Sequence, residues 1–127
     1  MMRETIFTNA APAPIGPYVQ AVLAQGKLLF ISGQIGLTPD GVLISEDVRE
    51  QTRQALENLR SILAQAGADL EHVVKTTVFL RSMQDFPAMN EVYADFFGPH
   101  PPARTTVEVS ALPRGALVEI EAIAVIP

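Results

Sequence analysis

Apolar residues recur along this chain with two periods, and each period predicts its own kind of element. Val48, Thr52, Ala55, Leu56, Leu59, Ile62, Leu63 and Ala66 fall at three- and four-residue steps, which predicts an amphipathic helix with one buried stripe. Ser45 is its candidate N-cap, Glu46 and Asp47 place negative charge at the positive end of the helix dipole, and Gly67 is its stop. Met89, Val92, Tyr93, Phe96 and Phe97 form the stripe of a second helix. Asp85 can cap it, Pro87 sits in its first turn where a missing N–H costs little, and Gly98-Pro99 ends it.

The other period is two. Val118, Ile120, Ala122, Ala124 and Ile126 alternate with Glu119 and Glu121, the signature of a strand with one apolar face. Before it, Arg104-Thr105-Thr106-Val107-Glu108-Val109 reads as another strand, with Thr105, Val107 and Val109 on one face and Arg104, Thr106 and Glu108 on the other. Pro113, Arg114 and Gly115 join the two runs, so a closing hairpin is expected. If it pairs apolar face to apolar face, Arg104 and Glu119 share the other side. Val73 to Leu80 is rich in β-branched residues and reads as a central strand. Thr5-Ile6-Phe7 is a short strand candidate, and Val19 to Ala24 with Leu28 to Ser32 read as a hairpin about Gln25-Gly26-Lys27. The resulting order, β-β-β-α-β-α-β-β, predicts one α+β domain over residues 1–127, with a mixed or antiparallel sheet and both helices on one face.

Composition narrows the chemistry. With 48% hydrophobic and 18% charged residues, the 127-residue chain can bury a core and still leave apolar surface for subunit contacts. It has no cysteine, which excludes disulfides, thiolate nucleophiles and cysteine-held metals. A net charge of −5 with scattered Lys and Arg argues electrostatically against a nucleic-acid partner. No run approaches transmembrane length and no long apolar run follows Met1 to Thr5, so no membrane partner and a cytoplasmic location are expected. His72 and His100 have no partner at ligand spacing, so no metal site is expected.

Arg104 and Glu119 then stand in two ways. As a cross-strand ion pair on a solvated face they contribute little. As a site, the guanidinium holds a small carboxylate while the carboxylate activates water. Tyr18 follows an ordered proline-rich loop, Asn9 to Pro17, and Ser32-Gly33 closes a strand.

Ile15-Gly16-Pro17-Tyr18, Ile31-Ser32-Gly33-Gln34-Ile35, Val74 to Phe79, Pro102-Ala103-Arg104 and Val118 to Ala124 together resemble the RidA (YjgF/YER057c/UK114) family, in order and spacing, from about Thr8 to Val125. The resemblance implies a chorismate-mutase-like fold, a homotrimer with clefts between subunits, and cofactor-free hydrolysis of reactive enamines and imines to 2-oxo acids and ammonia. It implies that Arg104 binds the substrate carboxylate and Glu119 acts on water or the imine nitrogen. The resemblance also implies that Tyr18, Ser32, Gly33, Asn90 and Thr106 line the same cleft; Thr106 stands where many members of the family have cysteine. Two alternatives remain: a module that binds small carboxylates or 2-oxo acids without turnover, and a translation-inhibiting ribonuclease of the kind ascribed to some family members. The acidic charge opposes the second.

Overall fold

A computed structural model describes residues 2–126, with backbone only at Met2. β1 (Met2–Ile6) pairs antiparallel with β2 (Ala21–Gln25) in a small separate ribbon. β3 (Lys27–Gln34), α1 (Val48–Gln65), β4 (Val73–Leu80), α2 (Phe86–Phe97), β5 (Ala103–Glu108) and β6 (Val118–Ile126) follow. The main sheet runs β3-β6-β4-β5, with β4 and β5 parallel and the other neighbours antiparallel. The element order and the α+β class are those expected from the alternating and helical patterns.

Both helices pack on one face of this sheet. Leu56, Leu59 and Leu63 of α1, Met89, Tyr93 and Phe97 of α2, and Val78, Leu80, Val118, Ile120, Ala122 and Ala124 of the strands form one buried cluster. These are the positions that the two periods select. Ile62, 36% exposed, and Ala66, also exposed, are the exceptions in α1, while its stripe gains Gln51, which is 1% exposed. Gln51 is buried because both ends of its amide are used. Its Nε2 donates to Ser45 O at 2.8 Å, and Leu117 N donates to its Oε1 at 2.8 Å.

Pairing departs from the sequence expectation in two places. β2 and β3 are not a hairpin. Only Gly26 separates them, too little chain to reverse direction, and the strand steps instead from one ribbon to the other. Gly26 has φ 151°, and a Cβ there would stand 2.6 Å from Ile126 O. Nor do β5 and β6 pair. β4 lies between them, so β4-α2-β5 is a parallel crossover unit and β6 fills the space between β3 and β4. β4 is central as expected, with Thr76, Val78 and Leu80 turned to the helices.

The helix ends also differ in detail. Asp47, not Ser45, caps α1 by accepting from Arg49 N, while Ser45 Oγ accepts from Asp47 N. Gly67 ends α1 with φ 77°, as its position implies. Asp85 occupies the N-cap position of α2 but makes no capping hydrogen bond; Pro87 lies in the first turn as expected.

Candidate functional site

The register decides which sequence-predicted residues meet. Arg104 pairs with Thr76 across β4 and β5, and Glu119 pairs with Phe79 across β4 and β6. Thr76 and Phe79 are three apart on one strand and therefore point to opposite faces. Arg104 is on the helix face and Glu119 on the open face, two strands away. The expectation that they share a side is corrected. It assumed that the apolar alternation of β5 marks the core face, whereas Thr105 and Val107 face outward onto an open face that is itself partly apolar. Phe30 is 70% exposed there and Leu28 61%.

Three of the candidates, Tyr18, Asn90 and Thr106, gather about Arg104, whose Nη1 donates to Asn90 Oδ1 at 2.7 Å. Its Cζ lies 4.7 Å from the ring centre of Tyr93, 5.3 Å from Tyr18 and 5.5 Å from Phe86. The guanidinium is thus half-buried against three aromatic rings. Among the described residues it makes no ion pair. Burial lowers its pKa from the usual arginine value, with Tyr93 and Tyr18 opposing that shift. Thr106, on the same face two residues on, has its Oγ1 shut off from solvent with no hydrogen-bond partner. Ile15, Tyr18, Phe86, Arg104 and Thr106 line a pocket of about 230 Å³.

The proline-rich loop is what delivers Tyr18. Gln20 pins it, donating to Thr8 O, Ala11 O and Pro12 O and accepting from Thr8 N. Val19 N donates to Pro102 O at 3.1 Å, which holds Tyr18 beside the start of β5. Gly16 lies against the arginine, where a Cβ would make ordinary contact with Arg104 Nη2.

Ser32, Gly33 and Glu119 form a second group on the open side. Between Ile31, paired with Ala122, and Gln34, paired with Ile120, two residues oppose the single Glu121, which is a β-bulge. The bulge carries exposed Ser32 and half-buried Gly33. Glu119 lies against Gly33 so closely that a Cβ there would be 2.1 Å from its Oε2. Within one chain this group does not reach the Arg104 pocket. Phe86 and Tyr93 were not singled out as pocket residues from sequence. Their spacing with Asn90, at i, i+4 and i+7, was the available signal.

The described residues contain no group of His, Cys, Asp and Glu arranged to hold a metal, and no helix long and apolar enough to cross a membrane.

Comparison with known proteins accords with this geometry. The family model described as endoribonuclease L-PSP matches residues 8–126. A RutC family protein of Pyrococcus horikoshii is 56% identical over 124 residues, covering 97% of this chain and 98% of its own. A mouse (Mus musculus) protein named 2-iminobutanoate/2-iminopropanoate deaminase is 52% identical over 126 residues, covering 98% and 93%. The crystal structure of Escherichia coli TdcF with bound serine superposes with a TM-score of 0.76 at 42% identity, over 98% of this chain and 99% of that one. Near full-length matches at about half identity, over the segment that holds both residue groups, place this chain in the endoribonuclease L-PSP family, the RidA/YjgF family that its motifs resemble.

Proposed function

We propose that this chain hydrolyses 2-imino acids, 2-iminopropanoate and 2-iminobutanoate with their enamine tautomers 2-aminoacrylate and 2-aminocrotonate, to 2-oxo acids and ammonia. The observation that carries the proposal is Arg104, a half-buried cation without an acidic partner among the described residues. Such a group is costly unless an anion completes it. Of its five N–H donors, one is given to Asn90, and a planar carboxylate can engage two of the rest. The deaminase names of relatives near half identity support the reading.

The chemistry needs little more. With the carboxylate clamped, water attacks the iminium carbon and Glu119 takes its proton. The carbinolamine nitrogen then receives that proton, the C–N bond breaks as the hydroxyl gives its proton back to Glu119 and becomes C=O, and ammonia leaves, taking up that proton as ammonium. Only water is consumed, so no cofactor is required. Since Arg104 and Glu119 occupy opposite faces of one sheet, the proposal pairs Arg104 of one copy with Glu119, Gly33 and Ser32 of another. A homotrimer with three such clefts, its open sheet faces turned inward over Phe30 and Leu28, satisfies this and buries that apolar surface. A binding-only module remains the second reading, because within one copy Arg104 has no carboxylate beside it among the described residues. A ribonuclease is opposed by the net charge of −5 and by the histidines. His72 Nδ1 accepts from Asp69 N in a turn, and His100 lies at the surface 4.0 Å from Glu71.

The test follows imine decay and ammonia release downstream of a threonine or serine dehydratase. Wild-type protein should accelerate decay and Arg104→Ala should abolish the acceleration. Decay at the buffer rate with wild type, or acceleration that survives Arg104→Ala, rejects the proposal. Tight 2-oxobutanoate binding with no imine consumed establishes the binding-only reading instead.

A further inference from the structure

Beneath Arg104 lies a buried hydroxyl pair that the hydrolysis above does not use. Thr76 Oγ1 and Tyr93 Oη are 2.7 Å apart, and both residues are 0% exposed. Thr76 is the lateral neighbour of Arg104 in the parallel ladder. The strand position that holds the tyrosine hydroxyl is therefore next to the one that carries the arginine. The Tyr93 ring is the nearest of the three to the guanidinium, at 4.7 Å, and Phe97 backs it at 4.8 Å.

Asn90 lies one turn earlier on the same stripe of α2 and takes Nη1 of Arg104. One helix face thus supplies both the ring under the guanidinium and the acceptor at its edge. Among the described residues, the side-chain hydrogen bonds from α2 to the sheet are Asn90 to Arg104 and Tyr93 with Thr76. The second is the only one of the two that does not involve the arginine itself.

We propose that Tyr93 is a positioning residue for the anion seat: its hydroxyl, locked to Thr76, fixes the turn of α2 that aims Arg104's free N–H edge into the pocket. The inference rests on Arg104 being the carboxylate-binding group. Either hydroxyl can donate in this bond, and α2 is tied to β4 equally in both cases. Burial pushes the Tyr93 hydroxyl up to about 12 against the pull of Thr76 and Arg104, so it stays protonated for this role.

A purely structural role would mean only that two buried hydroxyls satisfy each other. Removing one leaves the other unpaired, whereas removing both with shape kept is nearly neutral. That difference separates the two roles. Tyr93→Phe, Thr76→Val and the double variant are compared by thermal melting, by calorimetric binding of 2-oxobutanoate, and by kcat and KM for the imine. Tyr93→Phe should lower Tm and weaken 2-oxobutanoate binding about five- to tenfold, with KM rising alike and kcat within about twofold. The double variant should recover Tm but not the affinity or KM. Recovery of all three together, or wild-type affinity in Tyr93→Phe, overturns the positioning role. Wild-type protein that neither binds 2-oxobutanoate nor consumes the imine removes the site assignment on which the inference stands.

Discussion

Replacing Arg104 by lysine keeps the charge and removes the fork. The guanidinium spends one N–H on Asn90 Oδ1 at 2.7 Å and lies against Tyr93, Tyr18 and Phe86, with its remaining donors held in one plane. An ammonium has three donors on a tetrahedral nitrogen. If one stays with Asn90, the other two cannot meet both oxygens of a carboxylate in plane, so at least one charge-assisted hydrogen bond is lost. That bond contributes about 1.5–3 kcal/mol, or roughly 10- to 150-fold in affinity. An ammonium is also more strongly hydrated than a guanidinium and enters an aromatic wall at greater cost, which pushes the loss to the upper part of that range. Net charge is unchanged, so long-range attraction of the anion is not altered. The assay is kcat/KM in the dehydratase-coupled reaction, with calorimetric affinity for 2-oxobutanoate measured in parallel. Both should fall together by about the same factor, while Tm moves little. Arg104→Lys that holds kcat/KM within about twofold of wild type shows that a point charge suffices, and the argument from the planar fork is then wrong.

Three further outcomes follow from the same contacts. Gly33→Ala puts a Cβ where Glu119 Oε2 lies, 2.1 Å away, so the flexible carboxylate must swing aside. The fold should persist, judged by Tm, while kcat drops on the order of 10²-fold, toward the Glu119→Gln value. Thr106→Val removes a hydroxyl that has no partner in the chain. Stability by denaturant titration should hold or rise by up to about 1 kcal/mol. Tyr93 has a folded pKa raised to about 12 from 10.0, so its contribution is fully present below pH 10 and is lost as pH climbs toward 12. It amounts to about 3 kcal/mol. Melting of wild type from pH 9 to 12 should therefore fall more steeply than that of the Thr76→Val/Tyr93→Phe double variant.

Much of the fold is legible because burial imposes a period. Leu56, Leu59 and Leu63 repeat at helical steps and Val118, Ile120, Ala122 and Ala124 alternate, since each set has to face the same core. What alternation does not encode is the neighbour of each strand. Arg104-Thr105-Thr106-Val107 alternates equally well against β6 or β4. The parallel crossover through α2 selects β4, and with it the face to which Arg104 points. Thr105 and Val107 mislead for a related reason. Alternation on a strand marks a face, not whether that face meets the helices. In the site, family resemblance grouped Arg104 and Glu119 with Tyr18, Ser32, Gly33, Asn90 and Thr106; one chain brings Arg104, Tyr18, Asn90 and Thr106 together and leaves Ser32, Gly33 and Glu119 on the other face. Thr76 was not, because a threonine in a β-branched run looks like any other strand residue until Tyr93 is seen above it.

The division of the site between copies is the central claim, and mixing two inactive variants tests it most directly. Arg104→Ala and Glu119→Gln proteins are unfolded together, refolded at equal concentration and assayed for imine hydrolysis. If each cleft takes its arginine from one copy and its glutamate from the next, random assembly leaves both intact in about one cleft in four, and about a quarter of wild-type activity returns. Activity no greater than that of the two parents, in assemblies shown by mass to contain both chains, contradicts the division.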